Sequence, residues 1–116
     1  MARRSTLTQA VARTVALSLP EATEGSHMGT PDLRVRNKIF ATLPPTAPGT
    51  INLKTTPANL DALVRRAPAT YRDAWGGRWM GVELARISAG ELRELLREAW
   101  RLAAPKRLAR ALSDER

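Results

Sequence analysis

Apolar and polar residues change their period several times along this chain, and each change marks an element. Leu7, Ala10, Val11, Val15 and Ser18 recur at helical spacing and predict a first helix. Thr6 and Gln9 form a capping box at its start, and Pro20 stops it. From Leu33 the period falls to two. Leu33 and Val35 alternate with Arg34 and Arg36, Asn37-Lys38 makes a tight turn, and the chain returns through Ile39 to Leu43. A loop with Pro44, Pro45, Pro48 and Gly49 leads into a strand in which Ile51 and Leu53 alternate with Asn52 and Lys54. A weaker strand precedes this group, around Glu24 to Met28. Thr56 as N-cap and Pro57 at the first position open a second helix carrying Leu60, Leu63, Val64 and Ala67, which Pro68 ends. Thr70 to Asp73 and Trp79 to Ala85 pair as a second hairpin across Gly76-Gly77. Ser88 and Glu91 cap a third helix with the stripe Leu92, Leu95, Leu96, Ala99, Trp100 and Ala103, ended by Pro105.

The predicted order is helix, three or four strands, helix, two strands, helix. Short connections favour antiparallel pairing, so the fold class is α+β: two layers, an antiparallel sheet with helices on one face. With 116 residues there is one domain, its core at about 5–106, and residues 107–116 either fray or extend the third helix.

Composition narrows the chemistry. No cysteine is present, which excludes disulfides and thiolate metal sites, and a single histidine excludes a His-rich one. No cofactor is expected. After Met-Ala-Arg-Arg the apolar run is only Val15 to Leu19, too short for a secretory core, and no segment approaches the ~20 apolar residues of a membrane span. The expected location is the cytoplasm. Net charge is +8 and unevenly spread. Residues 21–33 hold Glu21, Glu24 and Asp32, whereas residues 34–54 hold Arg34, Arg36, Lys38 and Lys54 with no acid. A basic stretch of this kind suits a polyanionic partner, because neutralised phosphates release counterions.

Four stretches, taken in order, resemble the MmcQ/YjbR family. They are Ala16-Leu-Ser-Leu-Pro20-Glu-Ala-Thr-Glu24-Gly-Ser-His27 with Gly29, then Leu33-Arg-Val-Arg-Asn-Lys38-Ile-Phe40-Ala41. Ile51-Asn-Leu-Lys54 follows, and last come Gly77-Arg-Trp79-Met-Gly-Val82 and Glu91 to Leu102. The resemblance implies an α-β-β-β-α-β-β-α two-layer domain, similar in outline to frataxin-like and secretion-chaperone-like folds. It also implies DNA binding through a double wing of two hairpins, and it brings no catalytic residue set. The chain departs from the family pattern at Arg36-Asn37, where glycine is frequent at the hairpin tip. It departs again at Trp75-Gly-Gly-Arg-Trp79, where the usual turn is longer.

The candidate nucleic-acid site is Arg34, Arg36, Asn37, Lys38, Asn52, Lys54, Arg78 and Trp79. Strand alternation puts Leu33 and Val35 in the core and turns Arg34 and Arg36 the other way, and Asn52 and Lys54 lie opposite Ile51 and Leu53. With the strands in register, Arg34, Arg36, Lys38 and Lys54 share one exposed face, where Asn37 and Asn52 offer hydrogen bonds to backbone or bases. The competing expectation is an ordinary solvated sheet face. For Trp79 the alternatives are stacking on a base or partner, and covering a sheet edge against Arg78 or Arg72. Trp100 is core. His27, with Glu24 and Asp32 nearby, reads as a structural hydrogen-bonding group and not as a metal ligand or acid–base catalyst. The basic first helix excludes frataxin-type iron binding. The third helix is neutral, with Arg93, Arg97 and Arg101 offset by Glu91, Glu94 and Glu98, and is not a recognition helix. No nucleophile elbow, phosphate-binding loop or triad can be assembled, so no enzyme is expected. The reading is a DNA-binding module of low sequence specificity; the alternative is a non-catalytic protein-interaction module, monomeric or dimeric, using the exposed sheet face.

Overall fold

Three hydroxyl side chains start the three predicted helices. In the computed structural model, which describes residues 7–114 and side chains as far as Leu112, Thr8 Oγ1 accepts the Val11 N–H at 3.2 Å. Thr56 Oγ1 accepts from Asn59 at 3.2 Å, and Ser88 Oγ from Glu91 at 3.1 Å. These caps open α1 (Gln9–Leu17), α2 (Pro57–Arg66) and α3 (Ala89–Ala103). The cap of α1 is thus Thr8, and the expected Thr6 lies outside the described residues. Gln9 does not complete a capping box. Its Nε2 donates to the carbonyls of Pro44 (2.9 Å), Ala47 (3.2 Å) and Thr50 (2.9 Å), pinning the proline-rich loop to the helix. The buried face of α1 is also rotated from the expected one. Ala12 and Ala16 are buried while Ala10 and Val11 are exposed, because the alanines let α1 approach α3 and the sheet closely. Glu91 likewise reaches away from its cap, accepting from the Tyr71 hydroxyl at 2.5 Å and facing Arg66 at 3.6 Å. Burial, and then that carboxylate, push the Tyr71 hydroxyl up to about 12. After Pro105 the chain neither frays nor continues α3 but forms α4 (Lys106–Asp114), which buries Leu112.

Among the described residues six strands make one antiparallel sheet in the order β1-β2-β3-β4-β6-β5. They are β1 (Ala22–His27), β2 (Thr30–Val35), β3 (Lys38–Thr42), β4 (Thr50–Lys54), β5 (Tyr71–Trp75) and β6 (Trp79–Glu83). Four strands therefore precede α2, one more than the family resemblance implies. The β2–β3 turn is Arg36-Asn37, with φ of 51° and 66°, one residue earlier than expected. A two-residue hairpin turn needs positive φ at both centres, and Asn tolerates it better than Lys. Gly76 and Gly77, at φ 62° and 74°, serve the β5–β6 turn.

Among the described residues the four α-helices lie with the apolar side of the sheet. Helix α3 crosses β2, β3 and β4, α1 packs on α3 and β1, and α2 sits by β5. Leu33, Val35, Phe40, Ile51, Val82, Leu92, Leu96 and Trp100 are fully buried between the layers. Trp100 Nε1 donates to the Pro20 carbonyl at 2.9 Å, so the largest core side chain also anchors the exit of α1. Two strands carry an extra residue. The β2–β3 register shifts between Leu33 and Arg34, leaving Phe40 unopposed, and the β5–β6 register shifts between Asp73 and Trp75, leaving Ala74 unopposed.

Removing the Gln9 amide takes a donor from three carbonyls at once, of which those of Pro44 and Ala47 keep a backbone N–H. Gln9→Ala is expected to lower unfolding free energy by about 1–2 kcal/mol. Urea denaturation should show this as a lower midpoint at unchanged slope.

Candidate ligand-binding face of the sheet

The face of the sheet turned away from the helices is assembled by register. Thr42 stands opposite Asn52, Asn52 opposite Gly81, Lys54 opposite Trp79, and Trp79 opposite Trp75. Residues directly opposed in an antiparallel pair share a face, so these side chains stand together with Arg34 and Ile39, themselves opposed. Two members reach this face only through the bulges. Phe40 and Ala41 are both buried, and the extra residue between Ile39 and Thr42 lets both flanking side chains face outward. Ala74 does the same for Trp75, which strict alternation from Tyr71 would send to the helix side. The result is a groove of about 270 Å³ lined by His27, Ile39, Thr42, Asn52, Ala74, Trp75 and Trp79. Residues of both edge strands line it, so the face is concave. Trp75 is 75% exposed.

Beside the groove lies a buried charge. Asp32 has no solvent exposure, although it sits on the helix-free face. Arg34 Nε donates to its Oδ1 at 2.7 Å and Arg34 Nη2 to its Oδ2 at 3.0 Å, and His27 Nδ1 lies 2.8 Å from Oδ2. The guanidinium lies across Gly25 of the neighbouring strand, where an added Cβ would come within 2.8 Å of Arg34 Nε. Arg34 also donates to the Ser26 carbonyl and to Asn37 Oδ1, both at 3.1 Å. The hydrogen bonds from Arg34, and to a lesser extent those from His27, hold the Asp32 carboxyl below its ordinary range against the opposing effect of burial. An ionised Asp32 accepts, so His27 Nδ1 carries the hydrogen of this bond and Nε2 is the ring nitrogen not engaged by Asp32. Among the described residues no side chain hydrogen-bonds His27 Nε2, so no nucleophile–base pair is assembled there. No cluster of three or more potential metal ligands occurs among the described residues. A second arginine repeats the arrangement: Arg72 lies over Gly81, donating to Glu83 at 3.1 Å.

The expected convergence of Arg34, Arg36, Lys38 and Lys54 on one face is not what the structure shows. Arg34 is committed to Asp32. Arg36 is paired with Glu21, whose carboxyl it holds below its ordinary range, and with that carboxylate it spans the start of β1 and the turn. Lys38 stands opposite Val35, a core residue, so the pleat assigns it to the helix side. Lys54 does reach the open face, with Nζ 5.4 Å from the centroid of the Trp79 ring. Trp79 is half-buried, and the cation beside its ring is this lysine and not Arg78 or Arg72. What the fold does bring together is one end of the sheet. The Arg36-Asn37 tip, the last residue of β4 and the Gly76-Gly77-Arg78 tip all lie there. Asn37, Lys38, Lys54, Arg78 and Trp79 therefore occupy the same end, while Asn52 is deeper in the groove. Among the described residues no carboxylate is ion-paired with Lys38, Lys54 or Arg78. Asp32 as a buried anchor and Trp75 as an exposed platform were missed in the sequence. The signal for Asp32 was Arg34 two residues on, with Gly25 available to clear space; the signal for Trp75 was hidden by the bulge.

A two-layer α+β protein with an open, concave, aromatic-lined sheet face is thus defined. The YjbR family model matches residues 17–102, and the chain belongs to that family. No curated protein matches it. A crystal structure of a Deinococcus radiodurans protein with a DUF419 domain is similar, at TM-score 0.73 and 24% identity, covering 82% of this chain and 77% of the other. A Pseudomonas syringae protein of known structure is similar at TM-score 0.62 and 16% identity, covering 89% of this chain and 99% of the other. Both likenesses concern the fold. Among the described residues no helix is long and apolar enough to cross a membrane.

Asp32→Asn should cost about 1–3 kcal/mol, because the buried amide cannot accept from Arg34 and His27 as the carboxylate does. The carboxyl is held low in the folded state, so its contribution is present above the ordinary carboxylate range. It is lost as pH falls through the lowered value. The variant should lack that part of the acid-induced loss of stability in denaturation measured across pH. Gly25→Ala should destabilise by displacing the same guanidinium, and the two changes together should be less than additive.

Proposed function

We propose that this chain is a non-catalytic, cytoplasmic nucleic-acid-binding module with DNA as its partner, working through the end of the sheet where two hairpin tips meet. The observation that carries the reading is the placement of Lys54 and Arg78 together with Trp79, Asn37 and Lys38 at that end, with no carboxylate among the described residues paired to the three cations. Net charge supports it. Among the described residues seven arginines, including Arg13, Arg34, Arg36 and Arg72, are paired with carboxylates, and these neutral pairs leave the +8 excess to the rest of the chain. Phosphate contacts from a few such groups give affinity without sequence preference. Arg34 and Arg36, neutralised at home, are supports for the hairpin in this reading and not phosphate ligands.

A protein partner on the same face is the second reading, favoured by the apolar lining of the groove and by the exposed Trp75. Salt separates the two. DNA binding should weaken by decades between about 50 and 200 mM salt, whereas an apolar interface should change little.

Lys54→Glu combined with Arg78→Glu should abolish DNA retention at low salt while leaving the unfolding midpoint close to that of the parent. Each single neutralisation should flatten the log–log salt dependence by about 0.7–0.9 for every phosphate that the side chain no longer neutralises. Retention by the double variant would overturn the assignment.

A further inference from the structure

We infer that the groove on the open face holds one unstacked base of a single-stranded nucleic acid, laid against Trp75 with its polar edge turned to Asn52 and His27. The inference rests on the reading above and names the part of the partner that the groove takes.

Size is the first argument. At about 270 Å³ the groove falls just below the range, from about 300 Å³ upward, of pockets that enclose drug-sized ligands. It has room for one ring system and not for a dinucleotide cofactor. Shape and chemistry are the second. The walls are aromatic and aliphatic, from Trp75, Trp79, Ile39 and Ala74, and Trp75 leaves most of its surface to solvent. One of the aromatic groups, Trp79, already carries Lys54 by its ring, so Trp75 is the platform left for a second planar group. The floor is polar. The Asn52 amide and the Thr42 hydroxyl, both half-buried, have no hydrogen-bond partner among the described residues, and neither has His27 Nε2. Half-buried polar groups without partners inside an apolar groove are matched by a planar ligand that brings its own donors and acceptors. An amide offers a donor and an acceptor side by side, the pattern that pairs with adenine. Asp32 fixes the orientation of His27 through Nδ1 and leaves Nε2 as the ring nitrogen available to the polar edge of a base.

Charge is the third argument. Lys54, beside the Trp79 ring, flanks that end of the groove, and Arg78 is at the adjoining hairpin tip; a strand entering with its base in the groove places its phosphates at this end. A duplex keeps its bases stacked and paired, out of reach of the groove floor, whereas single strands splay them onto aromatic side chains.

The test compares a short oligodeoxyadenylate with an abasic deoxyribose-phosphate strand of the same length, read by tryptophan fluorescence and by direct titration. Free adenosine monophosphate forms a third arm. The base-bearing strand should quench tryptophan fluorescence and bind about tenfold to a hundredfold more tightly than the abasic strand. Trp75→Ala, a change at an exposed position, should erase that difference and leave the salt dependence intact. Equal, salt-sensitive binding of both strands would overturn the groove assignment while the phosphate reading stands. Binding of the free nucleotide as tight as that of the strand would assign the groove to a mononucleotide and overturn the strand. If no strand binds at low salt, the inference falls together with the reading on which it rests.

Discussion

The parity of the strands decides what the open face of this protein is. Side chains alternate across a pleated sheet with a period of two, so one inserted residue sends everything beyond it to the other side. Phe40 and Ala74 are such insertions. The first buries two consecutive side chains, Phe40 and Ala41, and turns Ile39 and Thr42 both outward. The second turns Trp75 outward to stand opposite Trp79. Without the second bulge Trp75 would turn to the helix side, and the groove would lose its exposed aromatic wall. Bulges also increase local twist, which is consistent with residues of β1 and β5, the two edges, lining one groove.

The same face shows how a chain with nineteen cations builds a sheet without repelling itself. Arg34 and Arg72 do not project into solvent as isolated charges. Each lies flat over a glycine of the adjacent strand, Gly25 and Gly81, and reaches a carboxylate, Asp32 and Glu83. A Cβ at either glycine would collide with the guanidinium, so the glycine and the arginine are one structural unit. Exposed pairs of this kind contribute little to stability, as in Arg13–Glu24 or Arg65–Asp61. The Asp32 pair differs because its carboxylate is fully buried.

Much of the fold was legible because its signals are local. Thr56-Pro57, Ser88, Gly76-Gly77 and the apolar stripe of α3 each state their structure within a few residues. Expectations failed where the deciding partner is distant in sequence. Gln9 looked like a capping residue, but its partners are Pro44, Ala47 and Thr50. Glu91 left its cap for Tyr71 and Arg66. The basic hairpin misled only partly for this reason. Counting charges between residues 34 and 54 found four cations and no acid, but the acids that neutralise Arg34 and Arg36 stand before that window, Asp32 two residues from its arginine and Glu21 fifteen residues from its own. Placing the turn one residue late also moved Lys38 to the wrong side of the sheet.

A buried carboxylate on an open sheet face needs a physical reason, since well-packed apolar residues often serve stability as well or better. The geometry supplies one. Asp32 accepts from both Arg34 and His27, and so holds two polar side chains, drawn from separate strands, in single orientations at the rim of the groove. The desolvation of the carboxylate is offset by three hydrogen bonds, and what the arrangement adds is order. An arginine held in this way leaves Asn37 at the hairpin tip tied to its own strand, and a histidine held in this way presents one defined nitrogen to whatever enters. Orienting groups before a ligand arrives removes part of the entropy that binding would otherwise have to overcome. The buried charge therefore orders the open face of the sheet as much as it serves the fold.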